Sequence, residues 1–183
     1  MKFNKTPLAG AYVIELEPFL DERGVFARTF CQKEFATIGF HKQIVQINHS
    51  LTRKRGAIRG LHFQHPPYAE VKIISCIHGE VFDVAVDIRK GSPTFLEWHG
   101  EVISAKNRKS LLIPEGFAHG FQTLDQDCEL IYLHSAPYCD QAEGALHVND
   151  PRISVVWPFP ATIISDRDRC NPFLPSDFEG IVL

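Results

Sequence analysis

A chain of 183 residues, 44% hydrophobic and 22% charged, is long enough to bury a core and too apolar to stay disordered. Its formal net charge of −3, without a long basic run, argues against general nucleic-acid binding. No stretch of about 18 uninterrupted apolar residues exists, so no transmembrane helix is expected, and a single domain over residues 1–183 is the default.

Lys2 and Lys5 precede no long apolar segment, so no signal peptide is expected. Tyr12-Val13-Ile14-Glu15-Leu16 reads as a short strand. Gly24 and Gly39 punctuate the next part, and Gln32–Ala36 between them is the one convincing helical turn, with Gly39 as its stop. Arg53-Lys54-Arg55 fits a solvated loop tip as well as an anion site. Residues 71–77 and 80–88 read as a β-hairpin around His78-Gly79. In its second strand Phe82, Val84, Val86 and Ile88 form an apolar face, while Val81, Asp83, Ala85 and Asp87 form a mixed one. In its first strand Lys72 shares a face with Ile74 and Cys76, so it must snorkel out or meet a partner inside. Further short strands are expected near 101–104, 110–113, 119–124 and 129–135. The end, with Pro158, Pro160, Pro172 and Pro175, reads as mostly irregular with a short helical turn. The five cysteines are irregularly spaced and contain no C-x-x-C, which favours a reducing, cytoplasmic setting over a zinc knuckle or disulfide framework. The pattern as a whole predicts a mainly β antiparallel jelly roll with few short helices.

Two segments carry the chemistry: Arg59-Gly60-Leu61-His62-Phe63-Gln64 and Ile113-Pro114-Glu115-Gly116-Phe117-Ala118-His119-Gly120-Phe121. A cupin-type jelly roll puts metal-binding histidines in comparable places, as H-x-H, a carboxylate and a distant histidine. Here the second histidine position holds Gln64 and the carboxylate position holds Lys72, whose ammonium would repel a divalent cation. Glu70 has the parity of Lys72 and keeps a metal set of His62, Glu70 and His119 open. The same groups also suit proton transfer beside a ketone, with a histidine as base, a lysine for the developing enolate and a tyrosine as acid. Tyr132 shares its strand face with Leu130 and His134 and could be that acid or a core tyrosine. Asp168 could orient His62, although a solvated loop carboxylate is the plainer reading of Ser165-Asp166-Arg167-Asp168.

With these motifs the chain resembles the dTDP-4-dehydrorhamnose 3,5-epimerases. The likeness runs from Asp21-Glu22-Arg23-Gly24-Val25-Phe26 through both histidine segments and residues 79–95 to Ser165–Asp168. It implies a cupin-like jelly roll, a homodimer, a nucleotide-sugar substrate with a 4-keto group, and neither metal nor redox cofactor. By similarity His62 is the base paired with Asp168, Lys72 stabilises the enolate, and Tyr132 is the acid on the opposite face of the sugar. The resemblance also implies substrate contacts from Arg23 and Arg59 to the diphosphate. Gln46 and Asn48 are implied as further polar contacts, His119 with Asp83 as the polar floor, Tyr138 beside the sugar, Glu143 and Arg167 along the substrate site, and Phe26 near the nucleoside. Arg28 stands where many members carry a glutamate that contacts the base. A 3-only or 5-only epimerase, another nucleotide, a metal-dependent cupin enzyme and a non-catalytic sugar-nucleotide binder are the other readings.

Overall fold

The computed structural model describes residues 1–183. In chain order the elements are β1 (Lys2–Lys5), β2 (Tyr12–Glu15), β3 (Phe19–Asp21), β4 (Gly24–Phe26) and α1 (Gln32–Phe35), which continues as a 3-10 turn over Ala36–Ile38. Next come β5 (Gln46–Thr52), β6 (Ala57–Gln64), β7 (Lys72–His78), β8 (Glu80–Asp87), β9 (Trp98–Ser104), β10 (Lys109–Ile113), β11 (Phe117–Thr123) and β12 (Cys128–His134). The chain closes with β13 (Glu143–Ala145), β14 (Ile163–Ile164) and α2 (Asp166–Arg169). One sheet runs β1-β2-β10-β7-β12-β5 and the other β13-β6-β11-β8-β9, with β14 parallel to β6; β3 and β4 form a separate hairpin. The mainly β jelly roll with few short helices is the expected one. The helical turn also ends as read, at Gly39 with φ +85°.

The expected hairpin at His78-Gly79 is not formed. Both strands exist, but β7 pairs with β10 and β12, whereas β8 pairs with β9 and β11. Gly79 (φ +74°) is a corner at which the chain leaves one sheet for the other. Only one residue separates the strands, fewer than the two that the tightest common hairpin loops use. A Cβ at Gly79 would lie 2.8 Å from Cys128 Sγ, so the corner is also packed shut.

Three layers of apolar contact explain why the strands read as almost continuous hydrophobic runs. Between the sheets lie Ile74, Cys76, Val81, Ala85, Leu111, Phe121 and Leu130. The apolar face of β8 points the other way, with Val84, Val86 and Ile88 packed against Leu146, Ile153, Leu174 and Ile181 from the C-terminal segment. On the outer face of the first sheet, Ile14, Ile73 and Leu112 meet Phe35 and Phe40 around α1. The mixed face of β8 is therefore the interior one, and it carries Asp83 into the space between the sheets.

One irregularity positions the site. His119 pairs with His62, yet Phe121 pairs with Arg59, so β6 has one residue more than β11 at this point. Three residues apart in a regular strand, Arg59 and His62 would face opposite sides; the bulge returns both to the interior. Glycine is required on both strands. A Cβ on Gly60 (φ +123°) would lie 2.6 Å from Gly120 Cα, and one on Gly120 would lie 2.7 Å from Arg59 O.

Candidate active site

A cavity of about 530 Å³ opens between the sheets and is lined by Asn48, Arg59, His62, Lys72, His119, Tyr132, Tyr138 and Glu143 among others. An adjoining groove, lined by Arg53, Lys54, Arg59, Arg167 and Asp168, shares His62 with it. Eight of the fourteen residues expected at the site thus converge on one space, and Asp168 and Arg167 flank it.

His62 Nε2 lies 2.7 Å from Asp168 Oδ1. Asp168 is no solvated loop carboxylate. It sits in α2, is 3% exposed, and its second oxygen accepts the Gly60 N–H at 3.1 Å. The Ser165 hydroxyl caps the helix by accepting from Asp168 N at 3.1 Å. Burial would raise the Asp168 carboxyl, but the hydrogen bonds from His62 and Gly60 outweigh it and hold the pKa below the ordinary value. An ionised carboxylate only accepts, so Nε2 carries the imidazole proton and Nδ1 keeps its lone pair.

Tyr132 enters from the opposite sheet. Burial pushes its phenol well up, and its hydroxyl lies 3.2 Å from Ser50 Oγ. It is therefore protonated at neutral pH and can donate. Of the two outcomes open to Lys72, snorkelling out or meeting a partner inside, the second holds. Its ammonium lies 3.1 Å from Glu70 Oε1 and donates to His62 O at 3.3 Å. Lysine has three N–H donors, so one remains for an oxygen in the cavity. His119 Nε2 lies 2.7 Å from Asp83 Oδ1, and the His119 ring meets Tyr132 edge-on at 6.1 Å.

The metal set of His62, Glu70 and His119 does not form. No group of three or more His, Cys, Asp or Glu side chains is placed to hold an ion. Glu70 is bound to Lys72 and His134, and each histidine has a nitrogen on a carboxylate. Gln64 is a loop clamp. It donates to Tyr68 O and Pro137 O and accepts from Cys139 N, which fixes the loop bearing Tyr138. The Tyr138 hydroxyl donates to Glu143 Oε2 at 2.9 Å, a contact that pushes its pKa up to about 12. Glu143 also pairs with Arg167.

Gln46 does not line the cavity but touches two residues that do, accepting from Tyr138 N and donating to Asn48 Oδ1. Arg23, Phe26 and Arg28 lie elsewhere. Arg23 is bound to Asp21, Arg28 to Glu34, and Phe26 is 73% exposed. In the Arg53-Lys54-Arg55 cluster, Arg53 and Lys54 edge the groove while Arg55 stacks over Phe159 at 4.3 Å. Ser50 was not foreseen, because β5 alternates too weakly to read as a strand. His134 was visible only as a neighbour of Tyr132 on its face.

A family model described as dTDP-4-dehydrorhamnose 3,5-epimerase matches residues 5–176. The chain belongs to the dTDP-4-dehydrorhamnose 3,5-epimerase family. It is 44% identical over 180 residues to the dTDP-4-dehydrorhamnose 3,5-epimerase of Shigella flexneri, covering 97% of this chain and 99% of that one. The crystal structure of the Bacillus anthracis dTDP-4-dehydrorhamnose 3,5-epimerase with TDP and PPi bound has a TM-score of 0.91 at 39% identity, over 94% of this chain and 99% of that one. ChmJ, a 3'-monoepimerase from Streptomyces bikiniensis in complex with dTDP-quinovose, has a TM-score of 0.84 at 30% identity, over 92% of this chain and 85% of that one. The epimerase family thus includes enzymes named for one carbon as well as for two. The chain has the family's cupin jelly roll and is an isomerase. No helix is long and apolar enough to cross a membrane.

Proposed function

We propose that the protein inverts C3 and C5 of dTDP-4-dehydro-6-deoxy-D-glucose, giving dTDP-4-dehydro-L-rhamnose, by proton transfer through an enolate without metal or redox cofactor. The observation that carries this reading is the His62–Asp168 pair on one wall of the cavity with a protonated Tyr132 on the other. The C4 carbonyl acidifies the protons on both neighbouring carbons. His62 Nδ1 removes one, and the Asp168 carboxylate stabilises the imidazolium that forms. The electron pair moves onto the C4 oxygen, where the spare N–H of Lys72 meets the developing charge in a site partly closed to water. Tyr132 then delivers its proton to the carbon from the opposite face, which inverts the centre. Each inversion leaves one proton more on His62 and one fewer on Tyr132, and exchange with solvent resets both. Arg59 and Arg167 provide planar donors suited to a diphosphate.

The reaction in D₂O with EDTA tests this. Deuterium is expected at both C3 and C5. Its absence from both carbons would overturn the reading, and exchange at one carbon alone would make the protein a mono-epimerase.

The proposed assembly is a homodimer of one-domain chains. The β3–β4 hairpin presents Phe19, Leu20 and Phe26, each more than 70% exposed, and β5 has a free edge with Ile47 64% exposed. Such surfaces suit a second copy. The hairpin of one copy laid over the cavity of the other would bring Arg23, Phe26 and Arg28 to the nucleotide. Sedimentation should give twice the chain mass, and deletion of residues 19–26 should raise KM far more than it lowers kcat. A thermal-shift series with dTDP, UDP, GDP and CDP tests the base, with dTDP expected to stabilise most. Five unbonded thiols support the cytoplasm as the compartment.

A further inference from the structure

Lys72, His134 and Gln46 are direct cross-strand neighbours on β7, β12 and β5, in one row of the first sheet. A continuous chain of hydrogen bonds runs along this row. The backbone N–H of Tyr138 donates to Gln46 Oε1 at 2.9 Å, which leaves the Gln46 amide nitrogen to donate to Asn48 Oδ1 at 3.2 Å. Asn48 Nδ2 then faces His134 Nε2 at 3.4 Å, and His134 Nδ1 faces Glu70 Oε2 at 2.9 Å. Glu70 Oε1 receives Lys72 at 3.1 Å.

A backbone amide can only donate, so the direction of every link is set from one end. Gln46 must accept from Tyr138, Asn48 must accept from Gln46, and the Asn48 amide nitrogen is left as a donor. His134 Nε2 must therefore accept, which places the imidazole proton on Nδ1, directed at Glu70. The Glu70 and His134 side chains are 7% and 9% exposed, so the links at the Lys72 end are shielded from competing water, while those through Gln46 and Tyr138 lie at the surface.

We propose that Glu70 and His134 are positioning residues of the epimerase, holding the Lys72 ammonium in register for the C4 oxygen and tying it to the cavity wall formed by Asn48 and Tyr138 through Gln46. Neither residue reaches the reacting carbons. Glu70 and His62 O occupy two of the three Lys72 donors and so fix where the third points. His134 holds the Glu70 carboxylate from the side away from Lys72. The inference rests on the proposed role of Lys72.

The two ends of the chain predict separate kinetic signatures. Lys72 acts on charge that appears only after proton removal, so losing its alignment lowers kcat. Asn48 and Tyr138 border bound substrate throughout, so losing theirs raises KM. Glu70→Gln should lower kcat about tenfold with KM within twofold. His134→Asn keeps a donor at the Nδ1 position and drops the Asn48 link, so kcat should hold while KM rises about fivefold. His134→Gln keeps an acceptor near Nε2 and drops the Glu70 link, so kcat should fall while KM holds. Circular dichroism and Tm identify variants that fail to fold, and the Asn and Gln substitutions are read against each other at one position. Equal kinetics for the folded variants and the parent would overturn the proposal, as would a parallel loss of kcat and KM in both His134 variants. Failure of the parent to exchange deuterium would instead overturn the reaction itself.

Discussion

The cavity contains two histidine–aspartate pairs, side by side on adjacent strands, with the same 2.7 Å spacing and the same nitrogen engaged. Their surroundings differ. The His62 side chain is 31% exposed while that of His119 is 7% exposed, so His62 offers the more accessible lone pair to a substrate in the cavity. The carboxylates differ too. Both Asp168 oxygens have donors, whereas Asp83, wholly buried, leaves Oδ2 without one. A buried oxygen without a donor weakens its own side of the barrel. Identical pairs therefore carry different work: the accessible, fully satisfied one suits repeated proton transfer, and the enclosed one suits a fixed polar floor beneath Tyr132.

The largest effect should come from removing the base. His62→Asn should lower kcat by about 10³-fold, near the middle of the range for lost general-base catalysis, with dTDP binding within twofold. His119→Asn should cost about tenfold, because the enclosed pair shapes the floor without taking the proton. Steady-state rates beside calorimetric dTDP affinities would decide, and equal losses at the two histidines would break the distinction.

Asp168→Asn should come next, at about 10²-fold in kcat, since an amide lacks the charge that stabilises the imidazolium. Asp83→Asn should cost activity only a few-fold. Below these stands the wall that the pairs share. Gly120→Ala puts a methyl 2.7 Å from Arg59 O and 2.9 Å from Leu61 Cδ2, which should lower stability by about 2–3 kcal/mol in urea unfolding. It should also shift His62 against His119 and so reduce activity in the folded fraction.

The sequence made the strands legible where β-forming apolar residues ran together between turn residues, as in β7 and β8, because both faces of these strands are packed, and the polar residues on one parity marked the interior side. It did not make their partners legible. Gly79 reads as a turn whether the chain doubles back or crosses between sheets, and only long-range pairing decides. The exposed β3–β4 hairpin and β5 escaped because their apolar residues face outward, without a buried side to set a pattern. His62, Lys72 and Tyr132 could be read from residue type and parity. The partner of His62 could not, since Asp168 lies 106 residues away on a four-residue helix whose burial depends on packing against β6. The relay through His134 and Glu70 needed the register of three strands, which no local pattern contains.

The smallest effect separates the pairs by acid stability. Asp168 has its pKa lowered in the folded chain, so in the unfolded chain it takes up a proton at a higher pH than in the native state. Its contribution is therefore complete above the unfolded value near pH 3.8 and disappears as the pH falls through the lowered native value. Stability of the parent minus that of Asp168→Asn should be about 1.5–3 kcal/mol near pH 5, for a charge-assisted hydrogen bond, and should shrink below pH 4. Urea midpoints across that range measure it. A difference that did not shrink below pH 4 would mean that the native state does not favour the Asp168 carboxylate over its acid, and His62 would then lack the anion that makes it, rather than His119, the base.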